Sequence, residues 1–147
     1  MLEEQFHFQL LKCFNQQRKL ITRKTAKLDV LPGQSKVLLC LYEQGSLSAK
    51  EIGDYCIIDK STTTTLLKKM EKMGYIEKKN DKQDKRALSI QLTTLGLDKA
   101  KQVKEICEES NQEILNVLTT NEQVEILRLL KKLNDAFEKG KIYGNEK

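Results

Sequence analysis

The sequence predicts a mainly α-helical fold carrying one small β-hairpin. Three observations lead there. Apolar residues recur at three- and four-residue spacing through most of the chain. Helix-starting and helix-stopping residues punctuate it at short intervals. Only "ALSIQLT" (87–93) alternates apolar and polar side chains cleanly, as a half-buried strand does. A single proline and seven glycines in 147 residues leave little material for a many-stranded fold.

The elements follow in order. Leu2, Phe6, Leu10 and Phe14 recur every four residues and mark a helix over 2–28. "LPGQ" (31–34) breaks the chain and opens the next helix, with Pro32 near its first turn. "SKVLLCLYEQG" is a short, nearly all-apolar helix closed by Gly45. In "SLSAKEIGDYC" (46–56), Ser48 and Glu51 form a capping box, each satisfying a backbone donor the helix start leaves open. "IIDKSTTTTLLKKMEKMGY" then starts a helix at the N-cap Asp59 and ends it at Gly74. Two short helices so closely joined form a helix-turn-helix. "YIEKK" and "ALSIQLT" are its two following strands, with Leu88, Ile90 and Leu92 expected on the buried side. Helical spacing resumes from Thr94 to about Leu118, through Ala100, Val103, Cys107, Ile114 and Val117. A capping box at Thr120 and Gln123 opens the last helix, whose stripe is Ile126, Leu127, Leu130, Leu133 and Phe137. The tail "GKIYGNEK" is expected to fray.

Charge is unevenly placed. The net charge is +5, and residues 59–87 hold nine Lys/Arg against five Asp/Glu, so nearly all the excess lies in one fifth of the chain. That points to a polyanionic partner for this segment. Four widely spaced cysteines, no CxxC and one histidine, His7, argue against a zinc site. Cys40 and Cys56 read as core thiols. "MLEEQFHFQLLKC" has an acidic start and no long apolar stretch, so neither a signal peptide nor a membrane partner is expected, and a reducing cytoplasm is the expected location. No cofactor is expected.

The helix at 59–73 can be laid out at 100° per residue. Thr62, Leu66, Met70 and Met73 gather on one side, flanked by Thr63 and Leu67, and are expected to be buried. Opposite lie Ser61, Thr64 and Lys68, with Lys60, Thr65 and Lys72 at the margins. Small hydroxyl groups at the helix start suit close approach to base edges in a major groove, and the lysines beyond suit phosphates. A merely solvated face is the alternative. Four consecutive threonines are a poor choice for it, because β-branching lowers helix propensity.

The hairpin reads as a wing. Its loop projects Lys82, Lys85 and Arg86, and an arginine there can enter a minor groove. Asp81 and Asp84 brace that guanidinium before DNA arrives. A solubilising loop of mixed charge is the alternative. The fold class is therefore a winged helix-turn-helix core with N- and C-terminal dimerisation helices. The helices outside the core carry stripes (Phe6, Leu10, Phe14; Val103, Ile114; Ile126, Leu130, Phe137) that need covering, by a second copy or by an intramolecular bundle. The expected divisions are 1–30 and 96–147 for dimerisation and 31–95 for DNA binding.

From about Leu28 to Thr94 the chain resembles the winged-helix core of the MarR family of bacterial transcription regulators. The pieces that carry the likeness are "LPGQSKVLLCL", "LSAKEIGDYC", "DKSTTTTLLKKMEKMGYIEK" and "NDKQDKRALSIQLTTLG". "DKQDKR" matches the family's Asp-x-Arg-Asp-x-Arg wing at Asp81, Asp84 and Arg86, with Gln83 in place of the first arginine. "DKSTTTTLL" matches Asp-x-Ser-Thr-x-Thr-Arg except that Thr65 stands where arginine is common. The resemblance implies a homodimer held by the first and last two helices, binding double-stranded DNA as a ligand- or stress-responsive repressor. It also implies a small aromatic ligand between the wing domain and the dimer helices. Cys13 resembles loosely the sensing cysteine of the family's peroxide-responsive branch. Two other readings remain: a winged-helix protein-interaction module, and a redox regulator acting through Cys13. An enzyme is not expected, since the sequence offers no nucleophile–base pairing or phosphate-cradling glycine loop.

Overall fold

The computed structural model describes residues 1–80 and 88–142. After a short 3-10 turn (Leu2–Glu4) come α1 (Phe6–Ala26), α2 (Gln34–Gln44), α3 (Ala49–Cys56) and α4 (Lys60–Lys72). They are followed by β1 (Ile76–Asn80), β2 (Leu88–Leu92), α5 (Thr94–Leu115) and α6 (Thr120–Glu138). The chain divides into two compact units, Met1–Ser110 and Asn111–Lys147.

The core of the first unit is built from α2, α3, α4, the hairpin and the start of α5. Val37, Leu38, Cys40 and Leu41 meet Ile52, Cys56, Leu67, Met70, Tyr75, Ile76, Ile90, Ala100 and Val103. The α1–α2 connection is held from two sides: the Tyr75 hydroxyl donates to the Asp29 carbonyl at 2.7 Å, and Lys99 Nζ to the Leu28 carbonyl at 2.8 Å. Pro32 stays outside α2, and Gly33, at φ 87°, is the N-cap. The buried Gln34 side chain accepts the Leu31 N–H at 2.9 Å.

The capping box of α3 forms as the sequence predicts, with the Glu51 N–H donating to Ser48 Oγ at 3.1 Å and the Ser48 N–H to Glu51 Oε1 at 3.0 Å. The box of α6 lies one residue earlier than expected, at Thr119 and Glu122. Gln123 instead donates back to the Leu115 and Leu118 carbonyls, tying the α5–α6 connection.

β1 and β2 pair antiparallel, Ile76 opposite Leu92 and Asn80 opposite Leu88. Leu47 bridges to Ile90, so the hairpin is also stitched to the segment after α2. Of the three expected anchors, Ile90 is buried and Leu92 half-buried, but Leu88 is exposed. Leu88 pairs with Asn80 at the end of the ladder that has already left the core, so strand alternation alone cannot bury it.

Candidate nucleic-acid interface

The helix-turn-helix is made by α3 and α4. Between them Ile57 takes a left-handed conformation at φ 58°, and its side chain is almost wholly exposed. The helices approach closely at Gly53, where an added Cβ would lie 3.0 Å from Thr63 Oγ1. That contact sets the rotation of α4. Its buried face is Thr63, Leu67 and Met70, with Leu66 and Met73 half-buried. Thr62, expected inside, is exposed; the face is turned by about one residue from the one predicted.

The opposite side agrees with expectation. Lys60, Ser61, Thr64, Thr65, Lys68 and Lys72 are all exposed. Asp59 organises the start of this face. Its Oδ1 accepts the Thr62 N–H at 2.8 Å and the Ser61 hydroxyl at 2.9 Å, and its Oδ2 accepts the Thr62 hydroxyl at 2.8 Å. The Thr62 N–H, joined by the two hydroxyls, holds the carboxyl below its usual range. Further along, the Thr64 hydroxyl donates to the Lys60 carbonyl at 2.9 Å and the Thr65 hydroxyl to the Ser61 carbonyl at 3.1 Å. Each hydroxyl proton is used within the helix. What Thr64 and Thr65 offer outward is a methyl group and oxygen lone pairs, a match for a thymine methyl or an exocyclic base amine.

Sequence reasoning missed two lysines. Lys69 is exposed on α4, and Lys50, at the start of α3, lines a depression of about 410 Å³ together with Ala49, Gly53, Lys60, Thr63 and Thr64. Lys50 lies outside the basic segment 59–87, so charge clustering along the chain could not find it. Its position in the first turn of the first helix of the pair was the available signal. Lys78 and Lys79 on β1 are already matched to carboxylates, Glu71 at 3.6 Å and Glu77 at 3.7 Å. Asp81, Lys82, Asp84, Lys85 and Arg86, the expected wing tip and its brace, lie outside the described residues.

A second cavity of about 400 Å³ is lined by Phe14, Arg18, Ile21, Lys36, Thr62 and Leu66, among others, and so reaches the back of α4. Thr62 faces this space, which is why it is not buried in the core. Of the expected interface residues, Phe6, Leu10 and Phe14 on α1 and Ile126, Leu130 and Phe137 on α6 are exposed. Ile114 on α5 is half-buried. Cys13 and His7 are exposed on α1. No helix among the described residues is long and apolar enough to cross a membrane.

Residues 32–88, the helix-turn-helix and most of the hairpin, match the model of the MarR family. The organic hydroperoxide resistance transcriptional regulator of Bacillus subtilis (strain 168) is 34% identical over 95 residues, 65% of each chain. Over these residues the chain is similar to the MarR family. SarZ of Staphylococcus haemolyticus is similar to this chain at 31% identity over 97 residues, 66% of each. The matched segment thus spans just under two thirds of these relatives' length. Among solved structures, a cysteine-to-serine mutant of MarR from E. coli complexed with operator DNA superposes with a TM-score of 0.76 at 26% identity, covering 85% of this chain and 91% of that one. The S. aureus MepR–DNA complex gives a TM-score of 0.82 over 90% of this chain and 98% of that one, at 22% identity, a likeness of fold. The fold of the chain is that of winged-helix transcriptional regulators.

Proposed function

We propose that the chain is a homodimeric, sequence-specific double-stranded DNA-binding regulator, a repressor responsive to a ligand or stress and acting on a pseudo-palindromic operator. The observation that carries this is the outward face of α4, where threonine methyls and lone pairs at the helix start pass into exposed lysines. Lys60, Ser61, Thr64 and Thr65 would meet base edges and nearby phosphates; Lys68 and Lys72, with Lys82, Lys85 and Arg86 of the wing, would hold the backbone. The operator DNA bound to E. coli MarR supports the partner class. The exposed apolar stripes of α1 and α6 support self-association. Two copies would read half-sites about 10 bp apart. The cavity behind α4 supports a small aromatic ligand as the signal, since a molecule touching Thr62 and Leu66 touches the reading helix itself.

Titrating a labelled duplex that carries an inverted repeat, and a scrambled one, tests this as salt is raised. Affinity should fall by orders of magnitude between about 50 and 200 mM salt, and the repeat should bind more tightly throughout. No duplex binding even at low salt would point instead to a protein-interaction module.

A further inference from the structure

Cys40 and Cys56 come from different helices, α2 and α3, and meet. Cys56 Sγ donates to the Lys36 carbonyl at 3.5 Å, one helical turn before Cys40 on α2, which sets the two thiols side by side. Both are free thiols with little exposure, 2% and 7%. Yet they are not sealed in the core. Both reach the wall of an open groove of about 470 Å³, whose other sides are formed by Phe14, Leu39, Tyr55 and Ile57, with Lys36 and Glu43 at the margin. The groove is therefore a mostly apolar slot with two adjacent sulfurs in its wall. Cys13 and Cys107 do not line it.

We propose that Cys40 and Cys56 form a dithiol site for trivalent organoarsenicals of the R–As=O class, with the organic group lying in the apolar slot. Two arsenic–sulfur bonds form and the arsenic–oxygen bond breaks. The oxygen leaves as water with the two thiol protons, and no atom changes oxidation state. The first bond places arsenic beside the second sulfur, so the second closure is intramolecular and strongly favoured.

Charge sets this class apart from monovalent metal ions and from peroxides. Burial raises both thiols, Cys56 to about 12, despite the nearby Lys36. A site that resists thiolate formation disfavours a soft monovalent metal ion, whose two-thiolate complex would leave a net negative charge in a poorly solvated place. It also slows attack on peroxides, which needs the thiolate. The arsenical chelate is uncharged. The site stands whether or not the chain binds DNA.

The test uses the full, reduced chain with one equivalent of phenylarsine oxide, challenged with excess monothiol and read by intact mass. One phenylarsenic adduct should survive the monothiol and be released by a dithiol such as 2,3-dimercaptopropanol. Cys40→Ala and Cys56→Ala should each lose that retention, while a Cys13→Ala/Cys107→Ala double variant keeps it. If a core variant folds poorly, peptide mapping of the unsubstituted chain decides, by showing arsenic bridging the Cys40 and Cys56 peptides. No retained adduct, or one bridging other cysteines, would overturn the assignment.

Discussion

Asp59 and Thr62 are joined twice, the carboxylate accepting both the backbone N–H and the hydroxyl of Thr62, each at 2.8 Å. The start of α4 is therefore held rigid before any partner arrives. Asp59→Ala should lower Tm by about 3 °C through the lost cap. It should also weaken duplex binding, although deleting a negative charge would by Coulomb's law strengthen it. Asp59→Asn should retain most of both. The folded carboxyl lies below its ordinary value of 3.8, so its contribution is fully present above that value and disappears as pH falls through the lower, folded one. Urea midpoints of wild type and Asp59→Ala should thus converge in strong acid.

Thr64 offers a methyl and lone pairs outward because its hydroxyl donates to the Lys60 carbonyl. Thr64→Ala should relax sequence preference by about 1 kcal/mol per half-site, with little effect on random duplex. Thr64→Val separates the two contacts. Preserved discrimination assigns it to the methyl; lost discrimination assigns it to the oxygen. Equal weakening on every sequence would mean that Thr64 does not face the bases.

Much of this site was legible because α4 is bounded by residues with one local role. Asp59 caps and Gly74 terminates, and 100° per residue then fixes which side chains share a face. The rotation of that face was not legible. It depends on Gly53 admitting Thr63, a contact between two helices that no single-helix pattern contains. Leu88 failed for the same reason: alternation says which side of a strand a residue is on, not whether the core extends that far. The α6 box slipped by one because Thr119 and Thr120 are adjacent and both are followed three residues later by a suitable partner, Glu122 or Gln123. Only the backbone turn distinguishes them.

Arg86 falls within 81–87, between β1 and β2 in the sequence, where the sequence predicts the wing's cationic end. Arg86→Ala should weaken duplex binding at least about tenfold while thermal unfolding and oligomeric state stay unchanged, and the salt dependence should become shallower by about one phosphate contact. Asp84→Ala, removing the proposed brace, should have a smaller effect in the same direction. Gel-shift titrations at two salt concentrations measure both. Unchanged affinity in Arg86→Ala would remove the wing from the mechanism.

Leu130 sits on the exposed apolar stripe of α6 with Ile126 and Phe137. A face of that kind stays soluble when a second copy covers it. Leu130→Lys should convert the dimer to monomer in sedimentation velocity at micromolar concentration. Operator binding should fall with it, because a single reading head forfeits the second half-site. A monomeric wild type at the same concentration would remove self-association from the proposal.

Gly96 is where the hairpin, α4 and α5 converge, and it has no room for a side chain. A Cβ added there would overlap the backbone carbonyl of Tyr75, not the tip of a flexible side chain that could move aside. That carbonyl accepts the Thr93 N–H at 3.0 Å, and the Thr93 hydroxyl donates to the Gly74 carbonyl at 2.5 Å while accepting the Gly96 N–H at 3.0 Å. The same few residues therefore end α4, begin β1 and start α5. Tyr75 in turn reaches Asp29 through its hydroxyl, so displacing its backbone also loosens the α1–α2 connection. Gly96→Ala should cost roughly 3 kcal/mol, at the upper end for overpacking, because the obstructing atom belongs to the main chain. Urea unfolding would measure that loss. Duplex binding, assayed at a temperature where the variant remains folded, should weaken as well, since the wing and the reading helix share this junction. A Tm within about 1 °C of wild type would show that the junction yields easily, and that the close approach at Gly96 does not hold the wing in place.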